Sequence, residues 1–171
     1  MNVCESCCKF LSCRRGVLIL ITLAAWGMFV ASIIAEHVFN LLPCSMCMYQ
    51  RYMHFAIGAL GLMIYHIPHR VSVLIVSMAF LGSAGLAGYH VGIEHGVFPA
   101  PKSCGQAMKA DSIEDLRAKL LNRPTVRCDK PAWTLGGISM AGYNFLASLG
   151  LSALGFLSYR RQKFSLSQEE K

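Results

Sequence analysis

The run 16-GVLILITLAAWGMFVASIIA-35 decides the fold class of this 171-residue chain, because it contains no Asp, Glu, Lys or Arg. Two further runs, 71–93 and 132–159, lack the same four residue types. Each run reaches the roughly 20 residues that an α-helix needs to cross the hydrocarbon core of a bilayer. Charged residues make up 15% of the chain and the mean hydropathy is +0.46, whereas soluble domains average about 25% charged residues. The sequence therefore predicts an all-α membrane protein.

A fourth run, 52–67, is shorter and contains His54 and His66. It is long enough to span only if it starts near Cys47 and takes in Arg51 at the interface. We therefore predict a bundle of four transmembrane helices over residues 16–159. Its predicted parts are spans at about 16–35, 47–66, 71–93 and 132–159, periplasmic loops at 36–46 and 94–131, a Cys-rich tail at 1–15 and a basic tail at 160–171.

The charges that flank the spans predict their orientation. Lys and Arg occur in both tails and are missing from loop 36–46, which places both tails in the cytoplasm. Loop 94–131 also carries Lys and Arg and opposes this assignment, but the first helix usually dominates. The first run is too long for the apolar core of a signal peptide, so we expect it to be a span. The net charge of +7 then reflects topology, and we expect no nucleic-acid partner.

The long loop contains a pattern typical of a short amphipathic helix over Asp111–Asn122. Ile113, Leu116 and Leu120 fall on one helical face, and Asp111 is a suitable N-cap. The apolar stripe either lies on membrane lipid or packs against other residues of the loop.

The motif Cys44-Ser-Met-Cys47-Met-Tyr-Gln-Arg51 stands where the second span begins, directly after Pro43. A C-x-x-C pair is a redox or metal-binding motif, and Pro suits the first turn of a helix. A helix amino terminus and a nearby cation both favour the thiolate form of a cysteine. Arg51 and then His54 continue one helical face below Cys47. Ionisable residues at this depth are candidates for function.

The eight cysteines divide into two sets under this topology. The four outer ones can form two disulfides in three connectivities, and proximity in sequence favours Cys44–Cys47 and Cys104–Cys128. Structural disulfides and a four-thiolate zinc site are the alternatives. The other set lies in the tail and has no assigned role: Cys4, Cys7, Cys8 and Cys13.

Small residues are frequent in the third and fourth runs, and such residues let membrane helices pack closely. The glycines concerned are Gly82, Gly85, Gly88, Gly92, Gly136, Gly137, Gly142, Gly150 and Gly155. Three polar or aromatic residues near the outer ends of these runs have weaker claims to function: His90, Trp133 and Asn144.

These motifs together resemble the bacterial disulfide bond formation protein B (DsbB) family. The resemblance covers roughly residues 16–159. It is carried by Pro43-Cys44-x-x-Cys47-x-Tyr49-Gln50-Arg51, by Gly88-Tyr-His90, by the loop cysteines Cys104 and Cys128, and by the segment from Trp133 to Gly136.

The resemblance implies an enzyme of the bacterial inner membrane that reoxidises a periplasmic DsbA-type protein with a thioredoxin fold. The electrons would pass to a membrane quinone, either ubiquinone or menaquinone. By this resemblance the partner attacks Cys104, and its pair Cys128 passes the electrons to the Cys44–Cys47 disulfide. Cys44 is the sulfur attacked, and Cys47 is the thiolate released beside the quinone.

The resemblance also implies a quinone-binding set and no metal. Arg51 would hold the quinone oxygens, with His90, Gln50 and His54 as further candidate contacts. The competing hypotheses are a soft-metal transporter that uses paired cysteines and a vitamin K epoxide reductase-like enzyme. Arg51 argues against the transporter because it repels a metal cation. In the reductase-like family the active pair lies late in the bundle, not at the second helix.

Overall fold

The computed structural model describes residues 16–67, 69–101, 104, 112–113 and 126–169, with residues 69 and 162–169 described by their backbone alone. The tail cysteines Cys4, Cys7, Cys8 and Cys13 lie outside these residues. So does the predicted helix Asp111–Asn122, apart from Ser112 and Ile113.

The described chain contains four long helices, as the sequence predicted. They are α1 (Gly16–His37), α2 (Ser45–Met63), α3 (His69–Glu94) and α4 (Met140–Glu169), and a 3-10 turn, Ile64–His66, follows α2. Three segments are long and apolar enough to cross a membrane, namely Gly16–His37, Arg70–Glu94 and Met140–Arg161. Helix α2 is not among them, since it is short and carries Arg51 and other polar residues in its first half. The span at 47–66 therefore stays a prediction.

The first two helices pack antiparallel through an aromatic contact. The Trp26 ring of α1 lies 5.5 Å from the Phe55 ring of α2 and covers Gly58. Ser32, further along α1, accepts a hydrogen bond from Arg51, which lies earlier in α2. This order places the carboxyl end of α1 beside the amino end of α2.

Helices α3 and α4 pack antiparallel through small polar residues. The hydroxyls of Ser83 and Ser148 are 3.5 Å apart, and the hydroxyl of Ser152 donates to the carbonyl of Ser77 at 3.0 Å. Because each serine has a partner on the facing helix or within its own, the interface buries hydroxyls without leaving them unpaired.

The apolar core lies at one end of the bundle and joins α1, α2 and α3. Its largest buried side chain is Phe80, which lies 6.3 Å from the His54 ring between their centroids. The other buried members are Val17, Leu18, Ile21, Ala25, Ile57, Ile64, Val73 and Val76. A second cluster at the opposite end contains Cys44, Met46, Ile93 and Cys128. The four-helix core therefore fixes the end of the bundle at which the cysteines meet.

The fourth span begins later than predicted. Thr134–Leu135 pairs antiparallel with Ile138–Ser139, and helix α4 starts only at Met140. Gly136 and Gly137 close the hairpin with φ of +56° and +80°. Residues without a Cβ adopt these angles at little cost, so Gly-Gly favours a two-residue hairpin turn over a helix.

The interpretation of the glycines as close-packing residues holds at some positions and is wrong at others. A Cβ on Gly155 would overlap the Ser77 hydroxyl, and one on Gly88 would lie 3.2 Å from the Phe145 ring. Gly82, Gly85 and Gly150 have no neighbouring heavy atom within 4 Å of such a Cβ among the described residues. The close approach of α3 and α4 therefore depends on a minority of their glycines.

Candidate active site

The C-x-x-C motif forms the first turn of α2. Cys44 is the N-cap, and its sulfur accepts a hydrogen bond from the backbone N–H of Cys47 at 3.2 Å. The Cys44 and Cys47 sulfurs are 2.8 Å apart and both residues are free thiols. The disulfide expected between them is therefore not formed here, and the motif is in the dithiol form of the same pair.

The surroundings of Cys44 favour its thiolate. The thiol of Cys47 hydrogen-bonds to it and lowers its pKa, with further help from the His90 ring and from the Cys47 backbone N–H, while burial opposes the effect. The sequence had placed the acidifying groups around Cys47 instead. The difference arises because Cys44, as the N-cap, is the residue that receives the free N–H of the first turn.

The loop cysteines Cys104 and Cys128 form a disulfide against the same helix end. The hydroxyl of Ser45 lies 3.2 Å from the Cys104 sulfur and 3.5 Å from the Cys128 sulfur. The Cys44 and Cys128 sulfurs lie within 4.8 Å of each other, and both residues are buried. Two cysteine pairs that are distant in sequence thus lie almost in contact.

The same region brings together three atoms of metal-binding type, the sulfurs of Cys44 and Cys128 and a nitrogen of His90. A metal ligand must be a thiolate rather than a disulfide sulfur. Because Cys128 is bonded to Cys104, it does not offer a thiolate in this state. The arrangement is better suited to thiol–disulfide exchange than to holding a metal ion.

His90 lies between the two cysteine pairs, away from the cavity that the other predicted cofactor residues line. Its Nε2 is 3.6 Å from the Cys44 sulfur and 3.9 Å from Oε1 of Glu94. Only 2% of its side chain is exposed. The predicted contact with a quinone is therefore not supported for His90, because the antiparallel packing of α2 and α3 directs its ring toward Cys44.

Gln50 connects this histidine to helix α4. Its amide nitrogen is 2.9 Å from His90 Nδ1, and its amide oxygen accepts a hydrogen bond from Asn144 at 2.6 Å. Asn144 in turn accepts from the Ser148 hydroxyl at 3.0 Å. A buried chain of hydrogen bonds thus runs from α4 to the dithiol.

Arg51 is held by α1. Its guanidinium donates to the hydroxyl of Ser32 at 3.1 Å, to the Ser32 carbonyl at 3.0 Å, and to the carboxylate of Glu36. The Arg51 side chain is 12% exposed. Glu36 offsets much of the charge that the sequence had assigned to the thiolate of Cys47, and three bonds fix the orientation of the guanidinium.

A cavity of about 320 Å³ lies between α1, α2 and α4. Cys47 lines it together with Arg51, Gln50, His54 and Asn144. The rest of its wall is mostly apolar and includes Met28, Ala31, Ala35, Leu41, Leu42, Ala141 and Ala147. A mostly apolar pocket with a few convergent polar groups is typical of a small-molecule site.

His54 presents an unused polar atom at this cavity. Its Nδ1 is 2.7 Å from the carbonyl oxygen of Gln50, which only accepts, so Nδ1 carries the proton of the neutral ring. Its Nε2 is buried and has no hydrogen-bond partner among the described residues. A buried polar atom without a partner is unfavourable, so a ligand with a hydroxyl group would satisfy it.

Sequence reasoning missed three residues of the site. Ser32 and Glu36 bind Arg51, and Glu94 faces His90 and accepts from the Ser139 hydroxyl. Glu36 and Glu94 were assigned to loops because they follow charge-free runs, yet both lie in helices. The signal available was the presence of an isolated acid just at the outer end of a span, opposite Arg51 or His90.

A helical membrane protein with a buried dithiol beside a disulfide belongs to the class of membrane thiol–disulfide oxidoreductases. Comparison with known families agrees: residues 14–158 match the family described as disulfide bond formation protein DsbB. The match covers most of the chain, so this protein belongs to the DsbB family, and the resemblance noted from its motifs is confirmed.

Curated relatives carry the same family name. A disulfide bond formation protein B from Herminiimonas arsenicoxydans is 31% identical over 66% of this chain and 67% of its own length. Another, from Methylobacillus flagellatus, is 27% identical over 88% of this chain and 95% of its own. An uncharacterized protein of Rickettsia prowazekii is 28% identical over 78% of this chain and 80% of its own. No solved structure matches the chain significantly.

Proposed function

We propose that this protein is a thiol oxidase of the bacterial inner membrane that reoxidises a periplasmic DsbA-type dithiol protein and passes the electrons to a membrane quinone. The observation that carries the proposal is the two-sided position of the C-x-x-C motif. The Cys44 sulfur lies within 4.8 Å of the Cys128 sulfur, while Cys47 lines the cavity. One pair thus touches both an electron donor and a binding site.

The outer half of the path uses the loop disulfide. The thiolate of the partner attacks Cys104 and forms a mixed disulfide, which releases Cys128 as a thiolate. Cys128 then attacks Cys44 of the oxidised motif and releases Cys47. Exchange of this kind requires a thiolate, a disulfide and close approach, and the short distance between Cys44 and Cys128 supports this order of attack.

The inner half of the path uses the cavity. Its apolar wall fits a lipophilic ring, Arg51 offers hydrogen-bond donors, and the unpaired Nε2 of His54 offers an acceptor. A quinone bound there would accept two electrons and two protons from the dithiol. Arg51 would orient the acceptor and favour the negative charge that develops on its oxygen, with Gln50 and Asn144 on the same wall.

The membrane topology follows from this path. The motif, the loop disulfide and the carboxyl ends of α1 and α3 share one end of the bundle. Disulfides persist in the oxidising periplasm and not in the cytosol. We therefore place this end at the periplasmic surface and both termini in the cytoplasm, as the flanking Lys and Arg predict.

Turnover with both substrates tests the proposal. The purified protein in detergent receives a reduced DsbA-type partner and decylubiquinone, with loss of quinone absorbance as the readout. We expect partner-dependent quinone reduction in the wild type and none in Cys47→Ser. Wild-type protein that oxidises no dithiol partner with either a ubiquinone or a menaquinone analogue would refute the proposal.

A further inference from the structure

We infer that His90 is a catalytic residue of the exchange between the two cysteine pairs, where its Nε2–H group donates hydrogen bonds to the thiolates of Cys128 and Cys44. The inference deepens the proposed function and rests on it, because it concerns the step that joins the two pairs. It assigns His90 to electron transfer between cysteines rather than to the quinone.

The position of His90 supports this role. Its ring nitrogen and the sulfurs of Cys44 and Cys128 all lie within 4.8 Å of one another, and all three residues are buried. These are the two sulfurs that must bond to each other during the exchange. Because burial excludes water from this contact, a thiolate formed on either sulfur needs a hydrogen-bond donor from the protein.

Gln50 determines which nitrogen of His90 carries the proton. Asn144 donates to the amide oxygen of Gln50, so the amide nitrogen of Gln50 faces His90 Nδ1. An amide nitrogen only donates, hence Nδ1 accepts and the proton of the neutral ring is on Nε2. The acceptor role of Asn144 toward Ser148 fixes the orientation of this chain of amides.

The other groups around His90 agree with a proton on Nε2. The carboxylate of Glu94, from α3 itself, lies 3.9 Å from Nε2 and is held by the Ser139 hydroxyl. Helix α2 contributes Cys44 and Gln50, and the loop contributes Cys128, whose backbone also interacts with the ring. An acceptor on the Nε2 side and a donor on the Nδ1 side both favour the same tautomer.

The exchange is balanced without a net proton transfer to His90. The Cys128 thiolate attacks the Cys44 sulfur, the Cys44–Cys47 bond breaks, and Cys47 leaves as a thiolate. The Cys104 thiolate then attacks Cys128, which breaks the Cys44–Cys128 bond and releases Cys44 as a thiolate. Two electrons move to the inner pair, and the protons of the two outer thiols end on the two inner ones. His90 keeps its own proton and stabilises first the Cys128 thiolate and then the Cys44 thiolate.

The test measures this exchange without quinone. Oxidised full-length protein, stripped of quinone, is mixed with a reduced DsbA-type partner, quenched with acid at timed intervals and alkylated, and thiols at Cys44 and Cys47 are counted by mass spectrometry. We expect His90→Leu to slow their appearance about 10- to 100-fold, as for loss of a hydrogen bond to a charged group. His90→Gln, whose amide nitrogen reaches the place of Nε2, should stay within a few-fold of the wild type.

A second readout separates this role from structural damage. In the reduced protein, the pH midpoint for iodoacetamide reaction at Cys44 should rise in His90→Leu and stay unchanged in His90→Gln. In Gln50→Glu, a carboxylate accepts from Nδ1, so His90 becomes a cation and the midpoint should fall. Equal exchange rates in the two His90 variants, or a midpoint that does not fall in Gln50→Glu, would overturn the inference. If the wild type itself delivers no electrons to Cys44 and Cys47, the proposed function fails instead.

Discussion

Cys44 and Cys47 are three residues apart in sequence, yet they face different surroundings. Cys44 is buried against the loop disulfide and His90, in a polar contact that exchanges sulfur bonds. Cys47 lines a largely apolar cavity beside Arg51 and His54. The first turn of a helix thus directs two adjacent thiols to two different sites, and a single redox pair serves both.

Replacement of the loop disulfide should separate the two sides most completely. In Cys104→Ser/Cys128→Ser, the Cys44 side loses its donor while the cavity is untouched, so partner oxidation should fall below detection. Reduction of decylubiquinone by dithiothreitol should persist, because that small thiol reaches the inner pair directly. Cys47→Ser is the control and should lose both activities. Partner oxidation in the double variant would show that the partner bypasses the loop cysteines.

Substitution of Arg51 should damage the Cys47 side alone. Arg51→Met removes hydrogen-bond donors to the acceptor, so the quinone KM should rise about 10- to 100-fold while the partner KM is unchanged. Steady-state kinetics with each substrate varied in turn measures both constants.

A companion variant controls for the charge that Arg51→Met leaves behind. Arg51 pairs with Glu36, and its loss leaves a partly buried carboxylate without a partner, which destabilises the fold. Arg51→Met/Glu36→Gln removes that cost and should melt at a higher temperature than Arg51→Met, with the same raised quinone KM. A partner KM that rises instead would contradict the assignment of Arg51 to the cavity.

The acidity of Cys44 gives a pH-dependent difference between the sides. Because the Cys47 hydrogen bond lowers the pKa of Cys44, its thiolate should persist as the pH falls below the ordinary thiol range, and alkylation should slow only at lower pH. In Cys47→Ala that hydrogen bond is lost, so the midpoint should move upward. Iodoacetamide rates across pH, with site-resolved mass spectrometry, measure the shift. A midpoint that is the same in both proteins would assign the acidity to another group.

The smallest expected effect concerns the scaffold that carries both sides. Gly155→Ala places a methyl group against the Ser77 hydroxyl between α3 and α4, and should destabilise the protein by about 1–3 kcal/mol. Gly150→Ala, on the same helix, meets no neighbour among the described residues and should be neutral or slightly stabilising. Thermal unfolding followed by circular dichroism compares them, and equal melting temperatures would contradict the packing described for α3 and α4.

The sequence predicted the helices because charge-free runs are long and have few alternatives in a membrane. Helices α1 and α3 extend one or two residues beyond the predicted spans at most of their ends, and each ends near an acid that had been assigned to a loop. The start of α4 was missed because two glycines form a hairpin turn rather than a helix start. The Gly-Gly pair between short apolar segments was the local signal for that turn.

The candidate site was predictable where one helix face carries it. Cys47, Arg51 and His54 recur at helical spacing and line one cavity, together with Gln50. The partners of these residues were not predictable, because contacts between helices depend on their register. The pairing of Arg51 with Glu36 and the contact of His90 with Cys44 each join residues on different helices, and no local pattern specifies them.

The most direct test of the two-sided motif is a count of electrons delivered to quinone. In a background with Cys4, Cys7, Cys8 and Cys13 replaced by Ser, each fully reduced protein is mixed anaerobically with excess decylubiquinone, and the quinone consumed is measured by absorbance. Each dithiol that reaches the cavity should reduce one quinone. The account predicts about two equivalents for the protein with both pairs, about one for Cys104→Ser/Cys128→Ser and none for Cys44→Ser/Cys47→Ser, by the same stoichiometry. Quinone reduction by a protein that retains only Cys104 and Cys128 would contradict it.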